Sequence, residues 1–266
     1  MLPTPSTSHV DTDRIYEPAE DSFLLLDTLS SEAETHFLTQ RFAGHQPIRH
    51  HDEPTPSPLV VEVGSGSGVV LAFVTAHAYA ILGRADVVAL GTDINTFACK
   101  ATKQTVAHAC QMTKAKDVDG SGFLLATMRA DLTSPLRDGV VDLLIFNPPY
   151  VPSQAVPELE YLKPGTAISD TECTSRTFEE DSHLLQLSYD GGMDGIEVTN
   201  RLLERLPNLL NLARGAAYIL LCAQNKPGEV MQRIRGWGDG WSVAAVGHSG
   251  KKAGWEKLQI IRIWRG

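Results

Sequence analysis

Residues 59–70 read LVVEVGSGSGVV, an apolar and β-branched run that ends in three alternating glycines. The run at 59–63 predicts a buried strand. Gly64, Gly66 and Gly68 then permit a tight turn, let the backbone approach a ligand closely and present amide donors at the start of a helix. This order of strand, glycine turn and helix predicts an α/β domain with a ligand site at the turn.

Two carboxylates make the glycine turn more specific. Asp93 ends the next predicted strand in GTDIN, where a carboxylate can accept hydrogen bonds from both hydroxyls of a ribose. A nicotinamide fingerprint would need a glycine where Val69 or Leu71 stands. Glu62 instead precedes the glycines, and its charge favours the ammonium and sulfonium groups of S-adenosylmethionine over a pyrophosphate. S-adenosylmethionine is therefore the expected cofactor, and a plain tight turn is the alternative.

Strand-like and helix-like segments alternate along the rest of the chain. The further strand-like segments are 85–94, 122–132, 140–147, 216–223, 241–248 and 256–265. The helix-like segments are 18–29, 69–81, 95–110 and 196–212. Such alternation predicts an α/β fold with a Rossmann-like, seven-stranded, mainly parallel sheet that has helices on both faces and binds ligands at the carboxyl ends of its strands.

The chain of 266 residues is expected to form one domain over 1–266, since 42% of its residues are hydrophobic and 21% are charged. Residues 1–30 form an amino-terminal segment that we expect to cover the site. Residues 44–58, 114–122 and 152–181 are predicted to be loop insertions. The last of these is rich in acidic residues and could steer a basic partner, although such a run is more often a solvated loop.

Composition and charge argue against several classes of protein. A formal net charge of -9 disfavours nucleic-acid binding by phosphate neutralisation. The four cysteines are far apart, and His45, His50 and His51 have no further ligand at suitable spacing, so no metal site is expected. The sequence shows no signal pattern and no apolar run of membrane-spanning length. We therefore expect a cytoplasmic protein, with the nucleus as a second candidate compartment and no membrane partner.

Asp131 ends the third predicted strand, in MRADLTSPL. A carboxylate at this position could accept a hydrogen bond from the exocyclic amine of adenine, while Leu132 packs on the adenine ring. The alternative for Asp131 is a helix or turn cap.

The Asn-Pro-Pro-Tyr sequence at 147–150, called the tip below, ends the fourth predicted strand abruptly, because proline cannot donate a backbone hydrogen bond. With the cofactor at the first two strand ends, the tip is expected beside the methyl group. A planar nitrogen is a poor nucleophile because its lone pair is delocalised. The side-chain oxygen of Asn147 and the carbonyl of Pro148 could each accept one of its N–H bonds and favour the charge that develops on it. Tyr150 could cover the planar group with its ring.

Five segments together resemble the HemK-like glutamine methyltransferases, in particular the eukaryotic branch that modifies the class-one translation termination factor. The segments are YEPAEDSFLLLDTL from 16, EVGSGSGVV from 62, TDIN from 92, DLLIFNPPYV from 142 and GGMDG from 191. The resemblance covers nearly the whole chain. It implies a class I S-adenosylmethionine-dependent methyltransferase fold, S-adenosyl-L-homocysteine as product, and the glutamine of a Gly-Gly-Gln tripeptide in the release factor as methyl acceptor.

The resemblance also assigns roles by position. Asn147, Pro148, Pro149 and Tyr150 would hold the glutamine amide, with Asn147, Pro148 and Tyr150 as the catalytic residues. The residues implied in cofactor binding are Ser22, Glu62, Gly64, Gly66, Asp93, Asp131, Leu132 and Asn147. Tyr16, Pro18 and Glu20 would close over the site, and an ordinary helix start is the alternative for these three.

A small zinc-binding activator subunit, forming a heterodimer with this chain, is a further implication of the resemblance. In the usual strand order of the fold the third strand is an edge, and GFLLATM at 122–128 is unusually apolar for a strand with an open side. We expect the edge strand at 122–132 to pair with a strand of that subunit. A neighbouring loop that covers the edge is the alternative.

Two other functions remain open from the sequence. An adenine amino-methyltransferase acting on DNA or RNA would also present a planar amine to Asn147, but the acidic charge and the lack of a basic groove weigh against it. A degenerate methyltransferase fold could serve as a binding scaffold, although Glu62, Asp93 and Asn147 are all intact. Lysine methylation is disfavoured because a flexible ammonium does not need a planar clamp.

Overall fold

The computed structural model describes residues 2–42, 55–115, 120–156, 178–250 and 257–266. For residues 178–181 it describes the helical backbone alone. Seven strands form one sheet in the order β3-β2-β1-β4-β5-β7-β6. The strands are β1 Leu59–Val63, β2 Val88–Asp93, β3 Phe123–Arg129, β4 Leu143–Phe146, β5 Ala216–Cys222, β6 Trp241–His248 and β7 Leu258–Arg265. The first five strands are parallel, and β7 runs antiparallel to both of its neighbours. The predicted seven-stranded, mainly parallel sheet is confirmed.

The helices flank the sheet on both faces. They are α1 Glu20–Leu29, α2 Glu32–Phe42, α3 Val69–Ala76, α4 Ala78–Leu82, α5 Thr96–Lys114, α6 Phe178–Tyr189, α7 Glu197–Leu209 and α8 Pro227–Arg235. One buried apolar cluster packs the first five helices, α1 through α5, against one face of the sheet. A second cluster joins α7 and α8 to the other face. Strands β1, β4 and β5 are almost entirely buried because they are covered on both faces.

The register of the central strands brings three strand ends together. Val63, the last residue of β1, lies opposite Thr92 of β2 and Phe146 of β4. The residues that follow these positions are the glycine turn, Asp93 and Asn147. Since parallel strands present their carboxyl ends at one edge of the sheet, all three meet at the same place.

Several element boundaries differ from the sequence prediction. Helix α1 begins at Glu20 rather than at Pro18, because the backbone is still extended at Ala19. The predicted helix at 69–81 is broken at His77 into α3 and α4. Helices α2, α6 and α8 were not predicted.

The sequence of α2 explains why this helix was not predicted from apolar periodicity. The residues on its buried stripe are Glu34, Leu38 and Phe42. Glu34 is only 4% exposed, and its burial is tolerated because Tyr218 and Arg262 donate hydrogen bonds to its carboxylate. A charged residue in the buried stripe weakens the apolar periodicity that sequence reasoning depends on.

The predicted insertions fall partly outside the described residues. Most of 44–58, the central part of 114–122 and positions 157–177 of 152–181 lie there, as do the three loop histidines. The end of the third insertion is helical, because α6 begins at Phe178. Among the described residues, no helix combines the length and the apolar character that crossing a membrane requires.

Candidate functional site

A cavity of about 280 Å³ opens at the carboxyl ends of β1, β2 and β4. Its wall includes every residue that the resemblance assigned to cofactor or glutamine binding: Ser22, Glu62, Gly64, Gly66, Asp93, Asp131, Leu132, Asn147, Pro148, Pro149 and Tyr150. These side chains come from distant parts of the sequence, and the sheet places them around one space.

The glycine turn wraps the end of β1 against β2. The amides of Gly64 and Ser65 both donate to the carbonyl of Thr92, at 2.8 and 3.1 Å. Gly64, Gly66 and Gly68 have φ values of 64°, 52° and 78°, a left-handed conformation that favours glycine. The turn therefore depends on the alternating glycines that the sequence shows.

Asp93 combines a structural role with a free binding capacity. Its Oδ2 accepts from the amide of Gly66 at 2.9 Å, and its Oδ1 accepts from the amide of Asn95 at 2.8 Å. The amide of Ile94 also interacts with this carboxylate. A carboxylate has about four acceptor sites, so Asp93 keeps acceptor capacity for a ligand in the cavity. Burial raises the pKa of Asp93 to about 6. This remaining acceptor capacity suits a ribose, whose hydroxyls are donors.

Glu62 is nearly fully enclosed beneath the glycine turn. Its side chain is 3% exposed, and its Oε2 accepts from the amide of Leu71 at 2.9 Å. Burial raises the pKa of Glu62 well above its usual value, and the nearby charge of Asp93 adds to this effect. A cationic ligand group in the cavity would favour the ionised form of Glu62.

Asp131 has a partner that sequence reasoning missed. Arg201 on α7 forms an ion pair with Asp131, and both residues line the cavity. Leu132 beside it has a φ of 49°, a strained conformation for a residue other than glycine. An adenine amine at Asp131 would share its carboxylate with the Arg201 guanidinium.

Asn147 is the polar group of the tip, and its amide is oriented. Its Nδ2 donates to Oδ2 of Asp21 at 3.0 Å. Its Oδ1 is buried and has no hydrogen-bond partner among the described residues. A buried acceptor without a partner is costly, so this atom is poised for a donor that enters the cavity.

Asp21 holds this arrangement, a role that its sequence position did not predict. It is 3% exposed, and its Oδ2 also lies 3.5 Å from the hydroxyl of Tyr150. Its Oδ1 accepts from the amide of Ser22 at 2.6 Å. The only sequence signal was its place in EDS at the start of α1, next to Ser22, which the resemblance did include.

The amino-terminal segment covers one side of the cavity. Arg14, Ile15 and Tyr16 line it, and Ile15 is buried in a small cluster with residues of α5. The side-chain Nδ2 of Asn95 donates to the carbonyl of Arg14 at 2.8 Å, which ties the segment to the end of β2. Pro18 and Glu20, which were expected to close over the site with Tyr16, are not among the residues that line the cavity.

Helix α6 supplies a further wall that the sequence did not predict. Its last residues line the mouth of the cavity through Leu184, Leu187, Ser188 and Tyr189. Tyr189 is 41% exposed, so this wall ends in an accessible aromatic ring.

Comparison with known proteins identifies close relatives. The eRF1 methyltransferase catalytic subunit mtq2 of Schizosaccharomyces pombe is 30% identical over 271 residues, which cover 100% of this chain and 96% of the relative. Methyltransferase HEMK2 of Mus musculus is 31% identical over 265 residues, which cover 98% and 96% of the two chains. A putative protein N5-glutamine methyltransferase of Methanocaldococcus jannaschii is 28% identical over 251 residues, with 94% and 92% coverage.

No family model matches the chain. Among solved structures, the type IIG restriction endonuclease BpuSI superposes with a TM-score of 0.50 at 13% identity, covering 96% of this chain and 26% of that one. This likeness shows a shared fold and nothing more. The full-length sequence relatives confirm the resemblance seen in the motifs, and the chain belongs to the HemK-like glutamine methyltransferases, in the branch of the eukaryotic eRF1 methyltransferase catalytic subunits.

Proposed function

We propose that this protein transfers the methyl group of S-adenosylmethionine to the side-chain amide nitrogen of the glutamine in the Gly-Gly-Gln motif of the eukaryotic release factor. The observation that carries the proposal is the buried Oδ1 of Asn147, which has no partner among the described residues. An amide N–H is the kind of donor that this atom needs.

The cavity fits the cofactor by its chemistry. The glycine turn allows close approach, Asp93 has acceptors for the ribose hydroxyls, and Glu62 offers negative charge to the cationic amino-acid end. Ser22, Asp131 and Leu132 lie in the same wall. When bound, S-adenosylmethionine supplies an electrophilic methyl on a sulfonium and leaves as S-adenosylhomocysteine.

The tip prepares the acceptor nitrogen. Asn147 Oδ1 accepts one amide N–H, and the carbonyl of Pro148 accepts the other, so the nitrogen is held in line with the methyl group. Both oxygens stabilise the positive charge that develops on the nitrogen as the N–C bond forms. Tyr150 lines the same space and covers the planar amide. The methylated nitrogen is acidic enough to lose its extra proton afterwards, so no strong base is required.

The substrate follows from the relatives. The S. pombe relative is named as an eRF1 methyltransferase, and the archaeal relative as a protein N5-glutamine methyltransferase. An adenine amine could use the same clamp, but a net charge of -9 disfavours a nucleic-acid substrate. The cytoplasm, where translation ends, is the compartment that we propose.

We infer that a small zinc-binding activator subunit binds at β3. This strand is at the edge of the sheet and pairs only with β2 among the described residues. Phe123 and Leu125 on β3 are 54% and 60% exposed. An apolar edge strand of this kind is suited to pairing with a strand of another chain.

Mass spectrometry of the release factor tests the reaction. The factor is incubated with S-adenosylmethionine and this protein, co-expressed with the activator subunit. We expect one added methyl group on the Gly-Gly-Gln glutamine, and its loss with Asn147→Ala. Cofactor binding without methylation of that glutamine would contradict the assignment, and methylation of adenine oligonucleotides at a matching rate would replace it.

A further inference from the structure

A second set of contacts holds the tip, and it comes from the end of β5. Asn225 lies in a short 3-10 turn after this strand and is 3% exposed. Its Nδ2 lies 3.1 Å from the carbonyl oxygen of Tyr150, 2.9 Å from that of Asp194 and 3.0 Å from that of Gly195. Its Oδ1 accepts from the amide of Cys222 at 2.7 Å. One side chain therefore joins the backbones of β5, the tip and the Gly-Gly-Met-Asp-Gly loop.

The Gly-Gly-Met-Asp-Gly loop at 191–195 lies directly against the tip. A Cβ added at Gly195 would stand 2.0 Å from the carbonyl oxygen of Tyr150, and one at Gly191 would stand 2.4 Å from that of Pro149. Gly195 also has a φ of 67°, which disfavours other residues. The loop can approach this closely only because it has no side chains at these two positions.

The tip has few backbone hydrogen bonds of its own, and backbone pairing resumes only after it, at Val151, which bonds to Tyr189 and Gly191. Pro148 and Pro149 have no backbone N–H, so they cannot donate to a neighbouring strand. The regular pairing of β4 ends at Phe146. Each of these prolines can form a backbone hydrogen bond through its carbonyl oxygen alone.

We propose that Asn225 is a positioning residue for methyl transfer, which fixes the backbone of the tip through the Tyr150 carbonyl. The proposal rests on the proposed function of the tip. Asn225 is not among the residues that line the cavity, so it acts through the tip and not on the ligands. A displacement of about 1 Å in such a clamp is enough to lower turnover about 100-fold.

The test compares Asn225→Ala with Asn211→Ala. Asn211 also uses its Oδ1 to accept from nearby backbone amides, those of Ala213 and Arg214, but it precedes β5 and so lies at the end of the strand away from the tip. We expect Asn225→Ala to lower kcat by about 10- to 100-fold while the Kd for S-adenosylmethionine changes less than about twofold. Asn211→Ala should leave both constants within about twofold of the wild type. Rates are measured at a temperature where both variants are folded.

Gly195→Ala provides a second perturbation with Asn225 intact. The added methyl would push on the Tyr150 carbonyl, so we expect the same fall in kcat and the same unchanged Kd. Wild-type kcat in folded Asn225→Ala or in folded Gly195→Ala would overturn the proposal. A fall in kcat that is matched by an equal loss of cofactor binding would show a merely structural role and would also overturn it.

An NMR measurement without any methyl acceptor tests the role of Asn225 independently of the proposed function. The ring resonances of Tyr150, in protein labelled with ¹³C-tyrosine and assigned with Tyr150→Phe, report the position of the tip. We expect them to shift or broaden in Asn225→Ala and to stay unchanged in Asn211→Ala. If the wild type methylates no glutamine, this result still decides whether Asn225 holds the tip. Unchanged resonances in Asn225→Ala would refute the proposal even if the wild type methylates the release factor.

Discussion

Asp21 links the amino-terminal segment to the tip through side chains that lie far apart in the sequence. It accepts from Asn147 Nδ2, and this bond leaves Asn147 Oδ1 facing the cavity. The orientation of an amide is set by its partners, since its oxygen and nitrogen are nearly equal in size. Asp21 thus decides whether the tip offers an acceptor or a donor to the substrate.

We predict that Asp21→Asn lowers kcat by about 10- to 100-fold. The asparagine has one acceptor oxygen where Asp21 used two, and an NH₂ group facing Asn147 would turn the acceptor of Asn147 away from the substrate. The Kd for S-adenosylmethionine, measured by calorimetry, should change less than about twofold. Asp27→Asn, at an exposed site on the same helix, is the control and should match the wild type. A wild-type kcat for Asp21→Asn would rule out this orienting role.

The raised pKa of Asp93 leads to a prediction of how cofactor binding depends on pH. Its pKa is raised to about 6 by burial, so the carboxylate takes up a proton as the pH falls through this value. The protonated group loses an acceptor that the ribose needs. We expect the Kd for S-adenosylmethionine at pH 5 to be about tenfold higher than at pH 7.5.

Asp93→Asn is the matched control for this pH dependence. It cannot ionise at this position, so its Kd should be high at both pH values, and any pH dependence that remains reports Glu62, whose pKa burial also raises. A wild-type Kd that is constant between pH 5 and 7.5 would contradict the assignment of Asp93 to the ribose.

The glycine turn between β1 and α3 also sets how closely α3 packs against α5. A Cβ at Gly68 would stand 2.5 Å from Cα of Thr102 on α5, whereas one at Gly66 would meet nothing within 4 Å. Both glycines have positive φ values, so the two positions share the backbone cost and differ in the packing cost.

Gly68→Ala should therefore destabilise the protein more than Gly66→Ala. We expect losses of about 2–4 kcal/mol for Gly68→Ala, from the backbone and the displaced helix together, and about 1–2 kcal/mol for Gly66→Ala, from the backbone alone. Urea unfolding of the two variants and the wild type measures both free energies. Equal losses would show that α3 and α5 can move apart at no cost.

The elements that could be predicted from the sequence are those with strong apolar periodicity or a specific turn. The strands and the glycine turn belong to this class, and each is close to its predicted place. Asp21 and Arg201 could not be found in this way, because their partners Asn147 and Asp131 lie 126 and 70 residues away. Their roles arise only when the sheet brings the segments together. The motif resemblance named residues of the tip and others that line the cavity with it, but it contained no information on what orients them.

Strand β3 is an edge of the sheet with exposed apolar side chains, which leads to a prediction about association. Leu125→Lys places a charge on this edge, where 60% of the side chain is accessible. We expect the lone subunit to become more soluble and to lose binding to the activator subunit, because a charged edge strand resists pairing. Size-exclusion chromatography of the co-expressed chains measures this.

Leu212→Lys is the control for Leu125→Lys. Leu212 is similarly exposed, at 65%, but lies between α7 and β5, away from the edge strand. It should leave the heterodimer intact. A stable heterodimer with Leu125→Lys would place the activator subunit on another surface.

The strand order β5-β7-β6 has a consequence for the order in which the sheet is completed. Strand β6 is made before β7, yet β7 is the strand that joins it to the rest of the sheet. Strand β6 therefore cannot join the sheet until β7 has paired with β5. The last two strands are added in the reverse of their order in the sequence, and until β7 docks the partly folded chain exposes the open edge of β5 to other molecules.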